Sequence, residues 1–214
     1  MPSPPTLDRG PPGRAPSPPR FSRVLRERTR EAHVRAEACF ALDRRLLDRS
    51  TYRKLLLSLQ AYHRPVEAAL AAVDGWERLE PAIDPEAYRR ADLLDEDLTH
   101  FDGEPHVAVN VGERAPERPG VQSLARALGC LYVLEGSARG GRIVAAEAGR
   151  RLPGVPVAFF SSAGRGPGAD WPALQSALDA FGASGGRTAV EETVDGALET
   201  FDTFGAWLDR DGAA

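Results

Sequence analysis

LEGSARGGR, residues 134–142, lies inside a stretch that otherwise reads as one long helix from about Val121 to about Arg150. It places Gly136, Gly140 and Gly141 where a helix favours alanine. Each interior glycine costs roughly 0.5–1 kcal/mol relative to alanine, because its freer backbone loses more entropy on ordering. Three such costs within six residues call for a compensating use of the missing side chains. Gly136 and Gly140 are four apart and therefore share a face. Two uses fit that spacing: close packing against a second helix, and a flat ligand lying directly on helix backbone. The spacing alone does not separate them. No strand precedes the glycines, so the segment is neither a phosphate loop nor a dinucleotide fingerprint.

The surrounding chain is helical in character. Ser22 is expected to cap a helix running to about Phe40, its hydroxyl accepting from the first unpaired amides. Residues 51–73 read as a second helix, bent or interrupted at Pro65. Asp84-Pro85, a cap followed by a first-turn proline, opens a third helix to about Phe101. Residues 102–120, rich in Gly and Pro, read as loop. After the glycine-bearing helix, RLPGVPVAFFSSAGRGPGAD (151–170) is irregular; Asp170 caps a helix reaching Phe181, and a last helix spans about 188–209. VAFFSS is too short to carry a sheet, so the expected fold class is all-α, a single bundle-like domain over residues 21–210. Residues 1–20 hold eight of the 18 prolines and almost nothing apolar, the composition of an extended or disordered tail.

Composition narrows the function. A net charge of -4 on 214 residues argues against a general nucleic-acid or anionic-membrane binder. The two cysteines, Cys39 and Cys130, make neither a disulfide framework nor a zinc site. No apolar stretch approaches the roughly 20 residues of a membrane span, and the N-terminus has no signal-peptide core, so a reduced, cytoplasmic protein is expected.

Chemistry gathers on the first helix. In LRERTREAHVRAE (25–37), Arg26 lies about 20° and Arg30 about 60° from His33 on a helical wheel, and Glu37 follows His33 by one turn. Two guanidiniums, an imidazole and a carboxylate thus run along one stripe, with Leu25, Ala32 and Ala36 keeping it partly apolar and slim. Such a stripe is ordinarily a solvated face with i,i+4 ion pairs. It also suits a metal-ligating imidazole oriented by a carboxylate, with arginines placed for an anion. No second His or Cys stands at ligand spacing, so a protein-only metal cage is disfavoured. A single axial ligand to a cofactor that brings its own four nitrogens, haem, fits better. His63 stands beside Pro65, His100 at a helix end and His106 in a loop, none in comparable company.

Taken together, these helices resemble haem oxygenase. Leu25-x-Glu27-x-Thr29-x-x-x-His33-x-x-Ala36-Glu37 resembles that family's proximal helix, and Gly136-Ser137-Ala138-Arg139-Gly140-Gly141 resembles its distal Gly-x-x-x-Gly-Gly motif. Leu134-Glu135-Gly136-Ser137 is closer to bacterial members, including those encoded with bacteriophytochromes; RRADLLDEDL (89–98) and VAFF (157–160) also match, in order. The resemblance spans about residues 20–210. It implies a fold that sandwiches haem b between the first helix and a kinked, glycine-rich distal helix. His33 would be the proximal iron ligand and Glu37 its hydrogen-bond partner. Arg26 and Arg30 would face the haem propionates. Gly136, Gly140 and Gly141 would pack over the distal face, where Ser137 and water steer oxygen, and Phe201 and Phe204 would supply apolar wall. Haem would be both cofactor and substrate, opened with O2 to biliverdin with release of CO and iron. The electrons would come from an external donor such as ferredoxin or a reductase, and a bacteriophytochrome would be a user of the product.

Two departures stand out. Animal members have an acidic residue where this chain has Ser137, and the basic propionate contacts found on the helix after the irregular segment are missing from DWPALQSALDAF (170–181), leaving Arg165 or the first helix to carry that load. Two alternatives accompany this reading: a haem-binding sensor or carrier that never degrades its ligand, and a haem-free thiaminase-like hydrolase with Cys39 or Cys130 as nucleophile.

Overall fold

The computed structural model describes residues 20–104, 117–162 and 170–212. The expectations for residues 1–19, most of the loop at 102–120, His106 and Arg165 lie outside the described residues. Among those described the chain is all-α, with eight α-helices and two short 3-10 turns. They are α1 (Phe21–Arg28), α2 (Arg30–Phe40), α3 (Leu42–Arg45), α4 (Arg49–Ala71), α5 (Ala91–Thr99), α6 (Leu124–Arg151), α7 (Trp171–Ser184) and α8 (Gly186–Gly212). No described helix is long and apolar enough to cross a membrane.

Helices α6 and α8 form the most extensive pair. They approach so closely because Gly129 of α6 lies on the backbone of Thr193 and Ala197, and Gly196 of α8 lies on that of Arg126. A Cβ at either position would press into backbone, which cannot yield as a flexible side chain would. Helix α8 packs in turn on α2, and α4 on α5. Two apolar clusters result. One joins α1, α2, α4, α6, α7 and α8 around Leu25, Tyr62, Leu128 and Val194; the other gathers Tyr52, Leu55, Leu59, Leu94, Phe101, Phe159 and Phe160. Phe40 and Phe204 touch both clusters, and the cavity described below lies between them.

Several local expectations are corrected. The first helix is two, divided at Thr29, whose hydroxyl donates to the Leu25 carbonyl at 2.8 Å in competition with the helix ladder. Ser22 is not its cap; Arg20 holds that position, while the Ser22 amide donates to Asp179 Oδ1 of α7 at 2.8 Å. Pro65 sits inside an unbroken α4. Burial of its neighbours Tyr62, His63, Val66 and Glu67 outweighs the one lost backbone bond. That helix opens instead on a capping box, in which the Asp48 carboxylate accepts from the Thr51 amide and the Thr51 hydroxyl accepts from the Asp48 amide. The Asp84-Pro85 start produces only a 3-10 turn, Pro85–Tyr88, before α5 begins at Ala91. Asp170 stands at the start of α7 without a side-chain capping bond.

Helix α5 has no local cap either. Its first amides, those of Arg90 and Ala91, donate to Glu67 Oε2 of α4 at 3.2 and 3.0 Å.

Candidate functional site

A cavity of about 380 Å³ opens between α2 and α6, closed behind by α4, α8, Arg90 and the 157–160 segment. On the α2 side it meets His33, Ala36, Glu37 and Phe40. His33 Nδ1 lies 3.5 Å from Glu37 Oε2, the i,i+4 pair the sequence places there. That contact commits Nδ1 and leaves Nε2 as the nitrogen available to a ligand. The Phe201 ring meets the imidazole edge-on, centroids 5.6 Å apart at 84°, restricting its rotation.

The facing wall is the glycine segment of α6, and its three glycines do different things. Gly140 has nothing within 4 Å of where a Cβ would stand, and Gly136 only the rim of Trp171 at 3.8 Å; both leave helix backbone bare toward the cavity. Gly141 is a packing residue, since a Cβ there would stand 2.7 Å from the Phe160 carbonyl. Both uses that the spacing left open are therefore present. The Ser137 hydroxyl donates to the Leu134 carbonyl of its own helix at 2.7 Å, so toward the cavity it offers an acceptor. Phe201 and Phe204 complete the apolar wall.

Arg26 and Arg30 are exposed and do not line this cavity. The division at Thr29 separates Arg26 from the helix that carries His33. Arg26 still acts on Tyr132 of α6: burial raises the Tyr132 phenol, with Arg26 and Thr29 opposing. Tyr132 packs on Trp171 with centroids 5.5 Å apart, and the Arg139 guanidinium lies 5.6 Å from the Trp171 ring. Arg26, Tyr132, Arg139 and Trp171 thus form a basic, aromatic corner beside Gly136.

The innermost wall carries a polar group that the sequence reading missed. His63, 3% exposed, directs Nδ1 to Glu67 Oε1 at 3.1 Å. Burial holds the imidazole below its ordinary value, outweighing Glu67. Burial alone would push the Glu67 carboxyl up, but the His63 bond and the Arg90 and Ala91 amides together bring it below the usual range. Both directions agree on a neutral imidazole donating to an ionised carboxylate, so Nε2 of His63 is an acceptor. Arg90, 6% exposed, donates to the Leu134 carbonyl at 2.8 Å, stands 3.9 Å from Glu135 Oε1 and lies 5.2 Å from the Phe159 ring. Its Nε has no hydrogen-bond partner among the described residues. Burial pushes the Glu135 carboxyl up, with Arg90 and Arg139 opposing. The signal for this group was available. HRPVE (63–67) repeats the His-x-x-x-Glu spacing of HVRAE (33–37), once buried and once exposed.

Neither cysteine lines the cavity. Burial pushes the Cys130 thiol up to about 12, and burial with Asp209 raises that of Cys39, so neither is a thiolate at neutral pH. Among the described residues no group of three His, Cys, Asp or Glu side chains is placed to hold a metal ion. One oriented imidazole, a largely apolar slot and a facing run of bare backbone suit a flat group that carries the remaining metal ligands itself.

No curated protein matches the chain. The fold is similar to that of the heme oxygenase from Neisseria meningitidis, as seen in its NO- and CO-bound crystal structures, with a TM-score of 0.68 over 91% of this chain and 92% of that one at 21% identity. A family model described as "Heme oxygenase" matches residues 19–210. With that match covering most of its 214 residues, the chain belongs to the haem oxygenase family.

Proposed function

We propose that this chain is a haem oxygenase of the biliverdin-producing kind, its catalytic unit spanning residues 21–210. The observation that carries the reading is the His33–Glu37 pair facing the bare backbone of Gly136 and Gly140 across one cavity. Haem, when bound, supplies both the iron that engages O2 and the macrocycle that is oxidised, with CO and ferrous iron released. His33 Nε2 would hold the iron, and Glu37 would fix the imidazole's orientation and raise its basicity through Nδ1. A neutral imidazole donates less electron density than a thiolate and favours O–O cleavage less.

Gly136 and Gly140 would leave room for the macrocycle against the backbone of α6. Arg26 and Arg139, at the corner beside Tyr132, and the exposed Arg30 outside it would bind the propionates, each well-placed charged hydrogen bond contributing about 1.5–3 kcal/mol of affinity. Arg90 as donor and His63 Nε2 and Ser137 Oγ as acceptors would hold water within the cavity. Phe201, Phe204 and Phe159 exclude bulk water from the rest. Electrons come from an external donor, ferredoxin or a reductase, in a cytoplasmic setting, and a bacteriophytochrome is a fitting consumer of the product.

The test is purified protein reconstituted with haem and supplied with ascorbate or a reductase. Loss of the haem spectrum with appearance of green pigment is expected. A stable haem spectrum without pigment favours the sensor or carrier. His33→Ala should lose the normal ferric spectrum; an unchanged Soret band with unchanged turnover overturns the assignment of His33 as the iron ligand.

A further inference from the structure

Two stretches of this sequence, RRADLLDEDL (89–98) and VAFF (157–160), are joined at Asp97. Asp97, near the end of α5 and 1% exposed, accepts the Ala158 amide on Oδ1 at 2.8 Å and the Phe159 amide on Oδ2 at 3.0 Å. Burial raises its carboxyl; the two amides and His100 oppose that rise, and Glu96 adds to it. A buried carboxylate is costly unless its oxygens are occupied. Here both oxygens are spent on backbone that belongs to no regular helix.

What that backbone carries is the inner wall of the cavity. The Phe159 ring meets His63 edge-on at 5.1 Å and lies under the Arg90 guanidinium at 5.2 Å. The Phe160 carbonyl is the surface on which Gly141 of α6 rests. One carboxylate therefore fixes the floor against which the polar group and the glycine helix are both seated.

We propose that Asp97 is a positioning residue for the haem site, acting through Phe159 and Phe160. The proposal rests on the haem reading above. The chemistry of the clamp selects its own variant: asparagine keeps the volume but offers one acceptor, and its NH2 faces the second amide donor-to-donor.

The measurement is the rate at which haem leaves the reconstituted full-length protein for excess apomyoglobin, well below the unfolding temperature of each variant. Asp97→Asn should release haem about tenfold faster or more, the equivalent of one hydrogen bond to a charged acceptor. Phe159→Leu, which leaves every Asp97 bond intact, should also release it faster. The double variant should be no faster than the worse single one, because both act along one path. A wild-type release rate in Asp97→Asn, or rates that multiply in the double variant, overturns the proposal. So does a lower melting temperature in Asp97→Asn with unchanged release, the mark of a merely structural role. If Asp97→Asn does not fold, Phe159→Leu decides alone, and a wild-type rate there overturns the proposal. A wild-type chain that takes up no haem fails the haem reading and this proposal with it; one that binds haem and is matched by Asp97→Asn fails the proposal only.

Discussion

Gly140 and Gly141 are chain neighbours with opposite surroundings, which gives them opposite expected responses to one added methyl group. At Gly140 a Cβ meets nothing within 4 Å, so Gly140→Ala should gain the helix propensity that glycine forgoes, about 1 kcal/mol. At Gly141 the Cβ stands 2.7 Å from the Phe160 carbonyl, so Gly141→Ala should lose about 1–3 kcal/mol through forced backbone movement. Urea unfolding of the two variants tests this; shifts of the same sign would show that the glycines are equivalent after all. The proposed function adds a second arm. Gly140→Ala should bind haem less well despite its greater stability, because the methyl group stands on the face the macrocycle uses.

Between elements, the decisive contact is the crossing of α6 and α8. Gly129→Ala should destabilise the chain by at least about 1–3 kcal/mol, although alanine is the better helix former, since the backbone of Thr193 and Ala197 blocks the new methyl group. A higher melting temperature in that variant would contradict the crossing. Nothing in the sequence around Gly129 announces this role, because its partner stands more than sixty residues away. The same division runs through the rest of the chain. The helical stretches were legible wherever apolar periodicity ran long, and His33–Glu37 was legible because both residues sit on one helix. The partition of the glycines into cavity wall and packing surface was not, since it depends on where Phe160 lies. Nor was the Thr29 break: a threonine that bonds back four residues looks in sequence like any other helical threonine. The His63–Glu67 pair was written in the sequence, but only burial separates it from a surface pair.

At the scale of the whole molecule, that buried pair sets an acid limit. His63 is held below the ordinary imidazole value of 6.5, so as pH falls through that value the unfolded chain takes up a proton that the folded chain refuses. Stability should therefore decline from about pH 6.5 downward. It should fall further as pH drops below the ordinary carboxyl value of 4.5, where the depressed Glu67 contributes its share and then loses it. Melting temperature against pH reads this. His63→Gln, which can still donate to Glu67 but does not titrate near neutrality, should flatten the limb between about pH 6.5 and 5. An unaltered limb in that variant would assign the decline elsewhere. Glu67 has one more consequence, in the order of events as the chain folds. Nine residues are too few for an isolated helix in water, and the first amides of α5 find their acceptor only on α4. Helix α5 therefore cannot nucleate by itself and consolidates once α4 has docked, so the amides of Arg90 and Ala91 should exchange their hydrogens in step with the opening of α4 rather than with local fraying.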